Sequence, residues 1–470
     1  MAEPIEGLTL RLAEHVARIS LERLPRTVID AARLCLLDAL GCGIGGSAHP
    51  AIRSMLDALR PPAVDPAALG ATLWGTGLRA PATMAALLNG CMAHVLNFDD
   101  AHKESMGHPG TVVVPAALAA AELAGATGAS LLEAIVAGYE ALLRVGVGVG
   151  VASHRERGWY ATGSLGPFGA AAAAGRLLGL DADGIACAMG LAGAQASGLW
   201  AFVADGSLAN VVYPGRAAEL GLEAALLARA GLPGPRRVLE AEDGGFLRAM
   251  SDGSEPTRIL EGLGERFLVT DVSLKPYPCS RTTHAPIDAS LSLRARWTAP
   301  GWLDGLHQVV VHTYPVAKRQ ADIPRPETPW VATLSIPYTV AIALAEGPVT
   351  SKHFSPPYLE DDRVRRLVSK VAVRVDDEIA ARFPGKWSCR VELVWTDGRR
   401  ASETVDAARG DPLDPMSPAE VRAKFASLTE GLLGEAAREG IVAIVDDLES
   451  RKDLRPLATL LGGARGSGAP

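Results

Sequence analysis

No apolar stretch of this chain reaches the ~18 residues expected of a membrane span. The longest, Val112 to Leu123 and Leu165 to Leu178, consist largely of alanine and glycine. Such residues suit close packing of helices in a soluble bundle, and no membrane is expected as a partner. The first ten residues, Met1 to Leu10, lack the basic and apolar regions of a signal peptide, so the expected location is cytoplasmic. There is no long basic run, and 46 basic against 53 acidic side chains leave a net charge of −7 with both signs interspersed, which excludes nucleic acid as an expected partner. The six cysteines, at 35, 42, 91, 187, 279 and 389, form no Cys-x-x-Cys pair, and this excludes the usual zinc and iron–sulfur frameworks. Buried reduced thiols acting as small hydrophobes account for them, with Cys279 the one to watch. No internal repeat is present.

What is present is a large apolar fraction, 48% of 470 residues, enough for a sizeable core and more than one folding unit. From Ile5 to about Leu268 the apolar positions recur at helical spacing, as in Val28, Ala31, Ala32, Cys35, Leu36, Ala39 and Leu40. Glycine and proline clusters punctuate these helices, and their short connections suit antiparallel neighbours. After about Val269 the period changes to two at His307 to His312 and Lys370 to Val375. Val391, Leu393 and Trp395 then alternate with polar residues before Asp397-Gly398, a two-residue hairpin turn signal, and a returning strand from Arg399 to Val405. Helix resumes after Ser417, where Pro418 and Glu420 make a capped start. The expected class is mainly α. A helical domain spans 1–268, an α+β domain 269–408, and C-terminal helices 409–462 return to the first domain, with a frayed tail at 463–470.

Four segments are polar or glycine-rich enough to carry chemistry. The run from Asn97 to Gly110 holds Asp99, Asp100, His102, Lys103 and His108 between two apolar helices, and the amides that open the second helix suit a carboxylate. Its spacing matches no metal motif, and a solvated loop with a helix cap is its structural alternative. Lys275 to His284 places Lys275 beside Pro276-Tyr277-Pro278 and Cys279-Ser280. A lysine on so rigid a stretch becomes partly desolvated and fit for proton transfer, or else is a surface cation on a hinge. Gly158 to Gly169 includes Tyr160 and Thr162. Its glycines permit close approach of the backbone, to a ligand or to a neighbouring helix, and no preceding strand makes it a dinucleotide site. Asp205 to Ala218 includes Asn210, Tyr213 and Arg216, and Arg216 near a helix start calls for an anionic partner, either a substrate carboxylate or Glu219 or Glu242.

These segments, in this order, resemble the MmgE/PrpD family, which includes 2-methylcitrate dehydratase, cis-aconitate decarboxylase and iminodisuccinate epimerase. Further matching stretches are Leu36 to Gly46, Trp74 to Leu96, Ala192 to Gly198, Asp243 to Phe246 and Pro329 to Leu344, so the resemblance covers nearly the whole chain. It implies a large all-helical domain carrying a smaller α+β lid, an active site between them, a homodimer formed through the helical domain, and no cofactor or metal. Asp99, Asp100 and His108 match one family segment, and Lys275 through Cys279 another. The pattern departs from the family at Asn97 and Ala101, usually aspartate and threonine, and at Tyr160, usually histidine. Asn210 and Tyr213 stand where a lysine and a histidine are expected, and Ser280 where histidine or cysteine sometimes follows Cys279.

The expected chemistry is abstraction of a proton α to a carboxylate of a small di- or tricarboxylic acid. Lys275 and His108 are the expected base and acid, Tyr160 replaces the missing histidine as proton donor, and Arg216 with helix N-terminal amides holds carboxylates. Asp99 and Asp100 are expected to orient His102, His108 or Lys103. Asn97, Thr162, Asn210, Tyr213, Cys279 and Ser280 complete the expected substrate-binding set. Dehydration is the first expectation, epimerisation of a dicarboxylate the second and decarboxylation the third. The rival from another class is a binding protein that kept the fold and lost its catalytic site.

Overall fold

Alanine and glycine set the geometry of the larger core. The computed structural model describes residues 7–62, 70–297 and 301–463, so all but the first residue of the expected tail 463–470 lies outside the described residues. Helices α1 (Arg26–Ser47), α2 (Ala82–His94), α3 (Gly110–Ala124), α4 (Gly128–Gly148), α5 (Ala161–Leu177) and α6 (Val212–Arg229) form the bundle. Helix α5 runs through its middle, buried at every position from Ala161 to Gly175, and packs on α3, α4 and α6. A Cβ added to Gly169 would stand 2.7 Å from the Gly138 carbonyl oxygen of α4, and one on Gly166 2.7 Å from Ala217 of α6. The glycines of this segment therefore let helices approach closely.

One departure from the all-helical expectation is the hairpin Gly70–Leu73/Leu78–Pro81, whose strands are too short for period two to register in the sequence. Among the described residues no helix is long and apolar enough to cross a membrane.

A second, separate core is built from residues 277–408. Its sheet has the order β2-β1-β3-β4, from β1 (Leu306–Thr313), β2 (Val371–Val375), β3 (Cys389–Trp395) and β4 (Arg400–Val405). Strand β1 is parallel to β2 and antiparallel to β3, which pairs with β4 across the Asp397-Gly398 turn. The Trp395 amide donates to the Arg399 carbonyl and Gly398, at φ 87°, is left-handed while Asp397 is not, so the connection is a three-residue turn, Thr396-Asp397-Gly398, and not the two-residue one expected. Val391, Leu393 and Trp395 point inward from alternate positions, covered by α7 (His284–Ala295), which packs on β3 and β4, while α8 (Ile336–Ala345) packs on α7 and β2.

The chain then returns to the bundle. Ser417 and Glu420 form a reciprocal capping box that starts α9 (Pro418–Thr429), and α9 lies along α1 with Phe425 against Gly41. Within that contact Lys424 donates to Asp38 Oδ1 at 2.6 Å and to the Phe98 carbonyl at 2.6 Å. The returning helix thus reaches the polar loop before Asp99.

Candidate active site

Four helix ends meet beneath the α+β domain. His94 closes α2, His108 stands just before α3, Tyr160 is the N-cap of α5, and Asn210 lies in the short turn that leads into α6. Three of the four are helix N-termini, whose partial positive charge favours an anion nearby. The cavity they border, about 100 Å³, is closed on the other side by Ser280, Arg281, Thr282, Gln320, Trp330, Leu334 and Trp387 of the α+β domain.

The floor is a hydrogen-bonded cluster around Asp99. Its Oδ2 lies 2.9 Å from His94 Nδ1 and 2.9 Å from His108 Nδ1. The two imidazoles that face it, with Lys275 3.9 Å from Oδ1, hold the buried carboxyl well below the usual carboxylate range against the cost of burial. His108 Nδ1 also lies 2.7 Å from the Asp100 carbonyl. A carbonyl only accepts, so Nδ1 carries the proton and Nε2 is left as a base for the cavity. Burial lowers the His108 pKa, partly offset by Asp99, so the ring is neutral at neutral pH.

His94 is bonded the same way. Nδ1 donates to Asp99, while Nε2 accepts from the Tyr160 hydroxyl at 2.9 Å and from Asn210 Nδ2 at 3.3 Å. Burial pushes the Tyr160 phenol above its ordinary value, which keeps its proton in place. The His94 and His108 rings meet edge-on, 5.0 Å between centroids. Two proton carriers thus border one cavity and share one buried carboxylate.

The other expected site residues fall in three groups. Asn97, His102, Lys103, Asn210 and Ser280 line the cavity with His108 and Tyr160. Lys103 is ion-paired with Asp411 at 2.8 Å, and His102 accepts the Ser105 amide at Nδ1. Thr162 and Tyr213 lie behind: Thr162 Oγ1 accepts the His108 amide at 3.1 Å, and Tyr213 packs against the Tyr160 ring. The remaining four do not line the cavity. Asp100 accepts the Gly110 amide at 2.9 Å and the Tyr139 hydroxyl at 2.7 Å, so the α3 N-terminus is capped by the protein's own carboxylate and is closed to a substrate. Cys279 is buried against Thr283, its thiol pushed up to about 12 by burial.

The structure places Lys275 and Arg216 off the cavity lining. Lys275 has no exposed surface and donates to Asn97 O and Oδ1 at 3.0 and 2.9 Å. It supports Asn97 and Asp99 from behind as a buried cation. Arg216 points out of the bundle, 63% exposed, and pairs with Glu219. Asn97 itself has φ 51°, a left-handed conformation that asparagine tolerates well, and its Nδ2 donates to Thr333 at 3.0 Å, tying the two domains together.

His94 is the residue that sequence reasoning missed. A lone histidine ending an apolar helix reads as core, and its neighbour Tyr160 is sixty-six residues away along the chain. His94, Asp99 and His108 bring their ligand atoms within 4.8 Å of one another, a spacing that suits a metal ion. The proton that His108 Nδ1 gives to a carbonyl and the cation beside Asp99 instead suit a proton-bonded cluster.

Two cores and an acid–base cavity at their junction define the class. The MmgE/PrpD N-terminal domain matches residues 10–259 and the MmgE/PrpD C-terminal domain residues 277–450, so this chain belongs to the MmgE/PrpD family. It is similar to a cis-aconitate decarboxylase-like protein of Aspergillus oryzae, 29% identical over 98% of each chain. It is also similar to the cis-aconitate decarboxylase of Homo sapiens, 27% identical over 98% of this chain and 95% of the relative. The 2-methylcitrate dehydratase of Salmonella typhimurium is 26% identical over 81% of each chain. These relatives are lyases.

Proposed function

We propose that this protein is a lyase that removes a proton α to a carboxylate of a small di- or tricarboxylic acid. The observation that carries the reading is His108, whose Nδ1 is pinned by Asp99 and the Asp100 carbonyl while Nε2 is left for the cavity. A neutral imidazole so oriented is a general base, worth ~10²- to 10⁴-fold when placed against its substrate proton. The N-termini of α5 and α6, which carry no side-chain cap, favour the substrate's charge.

Dehydration is the reaction this geometry fits best, because it uses both proton carriers. His108 Nε2 takes the α-proton as the C–H bond breaks, and the electron pair forms the carbon–carbon double bond. The adjacent C–O bond breaks, and the leaving hydroxyl takes the Tyr160 proton and departs as water. His94, which accepts a hydrogen bond from that phenol and is itself held by Asp99, orients the donor. Loss of carbon dioxide is the second reading, favoured by the decarboxylase-named relatives that match over nearly the full length.

The test is mass spectrometry of products formed in deuterated water from 2-methylcitrate, citrate, cis-aconitate and smaller dicarboxylates. Loss of water supports the first reading and loss of carbon dioxide the second. Deuterium uptake without loss of either group would make the protein an epimerase. A His108→Ala variant that folds and still exchanges or converts substrate at the wild-type rate would overturn the proton-transfer reading.

A further inference from the structure

The two walls of the cavity differ in how their polar groups are satisfied. On the helical side the Asp99 cluster is bonded within itself and the buried atoms left over are acceptors, Asp99 Oδ1 and Asn210 Oδ1. Across from it, the Nε2 of Gln320 and the indole Nε1 of Trp330 and of Trp387 are buried with no acceptor among the described residues. All three residues line the same cavity. A buried N–H without an acceptor costs on the order of 1–3 kcal/mol, and three along one wall are hard to account for as packing alone.

The surroundings favour an anionic acceptor. Ser280 and Thr282 add hydroxyls to the same wall, bonded to each other at 2.7 Å. The Arg155 guanidinium lies 4.0 Å above the ring of Trp200, another cavity residue, with its Nε buried and unpaired. Burial, with a smaller push from Arg319, lowers the Arg155 pKa to about 10. Arg281 and Lys103, the cations that line the cavity itself, are already engaged: Arg281 with the Ala408 and Arg409 carbonyls and Lys103 with Asp411.

We infer that Gln320, Trp330 and Trp387 form a carboxylate subsite on the α+β domain, which holds the carboxylate of the substrate farthest from the reacting carbon. Neutral N–H groups of a planar amide and two indoles donate to carboxylate oxygens without the side-chain freedom of a lysine, and the Arg155 guanidinium over Trp200 adds positive charge from a distance. Because the donors come from the α+β domain and the base from the helical domain, a bound diacid bridges the two, and its length sets which acids react. Asn97 and Thr333 already join the domains along that line. This assignment rests on the lyase reading only in taking the ligand to be a small carboxylate.

The test is calorimetric binding of propane-1,2,3-tricarboxylate to the full-length protein and to Gln320→Glu and Trp387→Phe. Gln320→Glu keeps the shape and places a charge against the ligand, while Trp387→Phe keeps the ring and removes one donor. Each is expected to weaken binding about tenfold or more with folding intact by circular dichroism, and to raise KM with little change in kcat on any substrate found. Wild-type affinity in both Gln320→Glu and Trp387→Phe overturns the subsite, as does absence of any binding to the unaltered protein. The lyase reading fails separately, if His108→Ala retains deuterium exchange.

Discussion

The helical wall of the cavity and the α+β wall are built on opposite principles. In the first, Asp99, His94, His108, Tyr160 and Asn210 bond one another over 2.9 to 3.3 Å, every ring nitrogen but His108 Nε2 has a partner within the protein, and the buried atoms left over are acceptors, Asp99 Oδ1 and Asn210 Oδ1. In the second, three N–H groups stand buried without acceptors. A network whose internal bonds fix each tautomer is suited to moving protons, because no rearrangement is needed at the moment of transfer. A wall of unspent donors is suited to recognition. The difference teaches that chemistry and selection are separable here, and each can be altered with the other left in place.

The strongest way to break this comparison is at Asp99. Asp99→Asn cannot accept from both imidazoles as a carboxylate does, and it leaves Lys275 buried beside a neutral group. Turnover is expected to fall ~10³-fold or more, within the range spanned by loss of an oriented acid–base pair, with a clear drop in melting temperature. His108→Ala should cost ~10²- to 10⁴-fold in kcat with a much smaller change in stability, since its ring is partly open to the cavity. Steady-state kinetics beside thermal denaturation separates the two. The same base gives a pH signature. Because burial lowers the His108 pKa, the acid limb of kcat/KM should fall below pH 6.5, the ordinary histidine value, and the rate should rise with pH through it.

Lys275 sharpens the comparison next. As a fully buried cation that holds Asn97 and stands near Asp99, it is a positioning residue, and Lys275→Met is expected to destabilise the fold by about 3 kcal/mol in urea. The residual activity of the folded fraction decides its role: a proton carrier would show a shifted basic limb in the pH profile of the wild type relative to Lys275→Met, and a positioning residue would show a lower kcat with the same profile shape.

Much of the architecture was legible beforehand because it depends on local rules. The Asp397-Gly398 hairpin and the Ser417/Glu420 cap form where turn and capping chemistry place them. The glycines of α5 needed the structure to decide between two readings, since close approach to a ligand and close approach to α4 look alike in sequence. The site was less legible. His94 gave no local signal, as its meaning lies in Asp99, five residues on, and Tyr160, sixty-six residues on, folding back to it. Lys275 and Arg216 drew attention as cations on rigid or helix-start segments, but whether a cation faces a cavity, a core or solvent is set by packing. Gln320 and Trp387 lie among charged residues, Lys318, Arg319 and Asp322 around the one and Lys386 and Arg390 around the other, so nothing local sets them apart from a charged surface.

A smaller effect checks the electrostatics of the helical wall. Burial drives the His102 pKa down to about 3, so the folded protein holds it neutral where the unfolded chain takes a proton near pH 6.5. A depressed folded value means its contribution is fully present above pH 6.5 and is lost as pH falls towards 3. Wild type and His102→Asn compared by urea denaturation should therefore differ most at pH 7, and the difference should narrow by up to ~1.4 kcal/mol per unit below pH 6.5. A gap that stays constant down to pH 4 would show that His102 is protonated in the fold.

The smallest expected effect tests the boundary of the site. Arg216 sits in the first turn or two of α6, where a cation opposes the helix dipole, and Glu219 one turn on compensates it at the surface. An exposed pair of this kind contributes ~0–1 kcal/mol, so Arg216→Ala should change stability by no more than about 0.5 kcal/mol and leave kcat/KM unaltered. Within one chain its guanidinium has no path to the cavity, because Cys91, Ala217 and the close contact of Gly215 with α2 intervene on the buried face of the helix. A tenfold loss of kcat/KM in Arg216→Ala would therefore mean that the cavity side of another copy of the chain receives this residue, and that the charge missing from the α+β wall is supplied across an interface between copies.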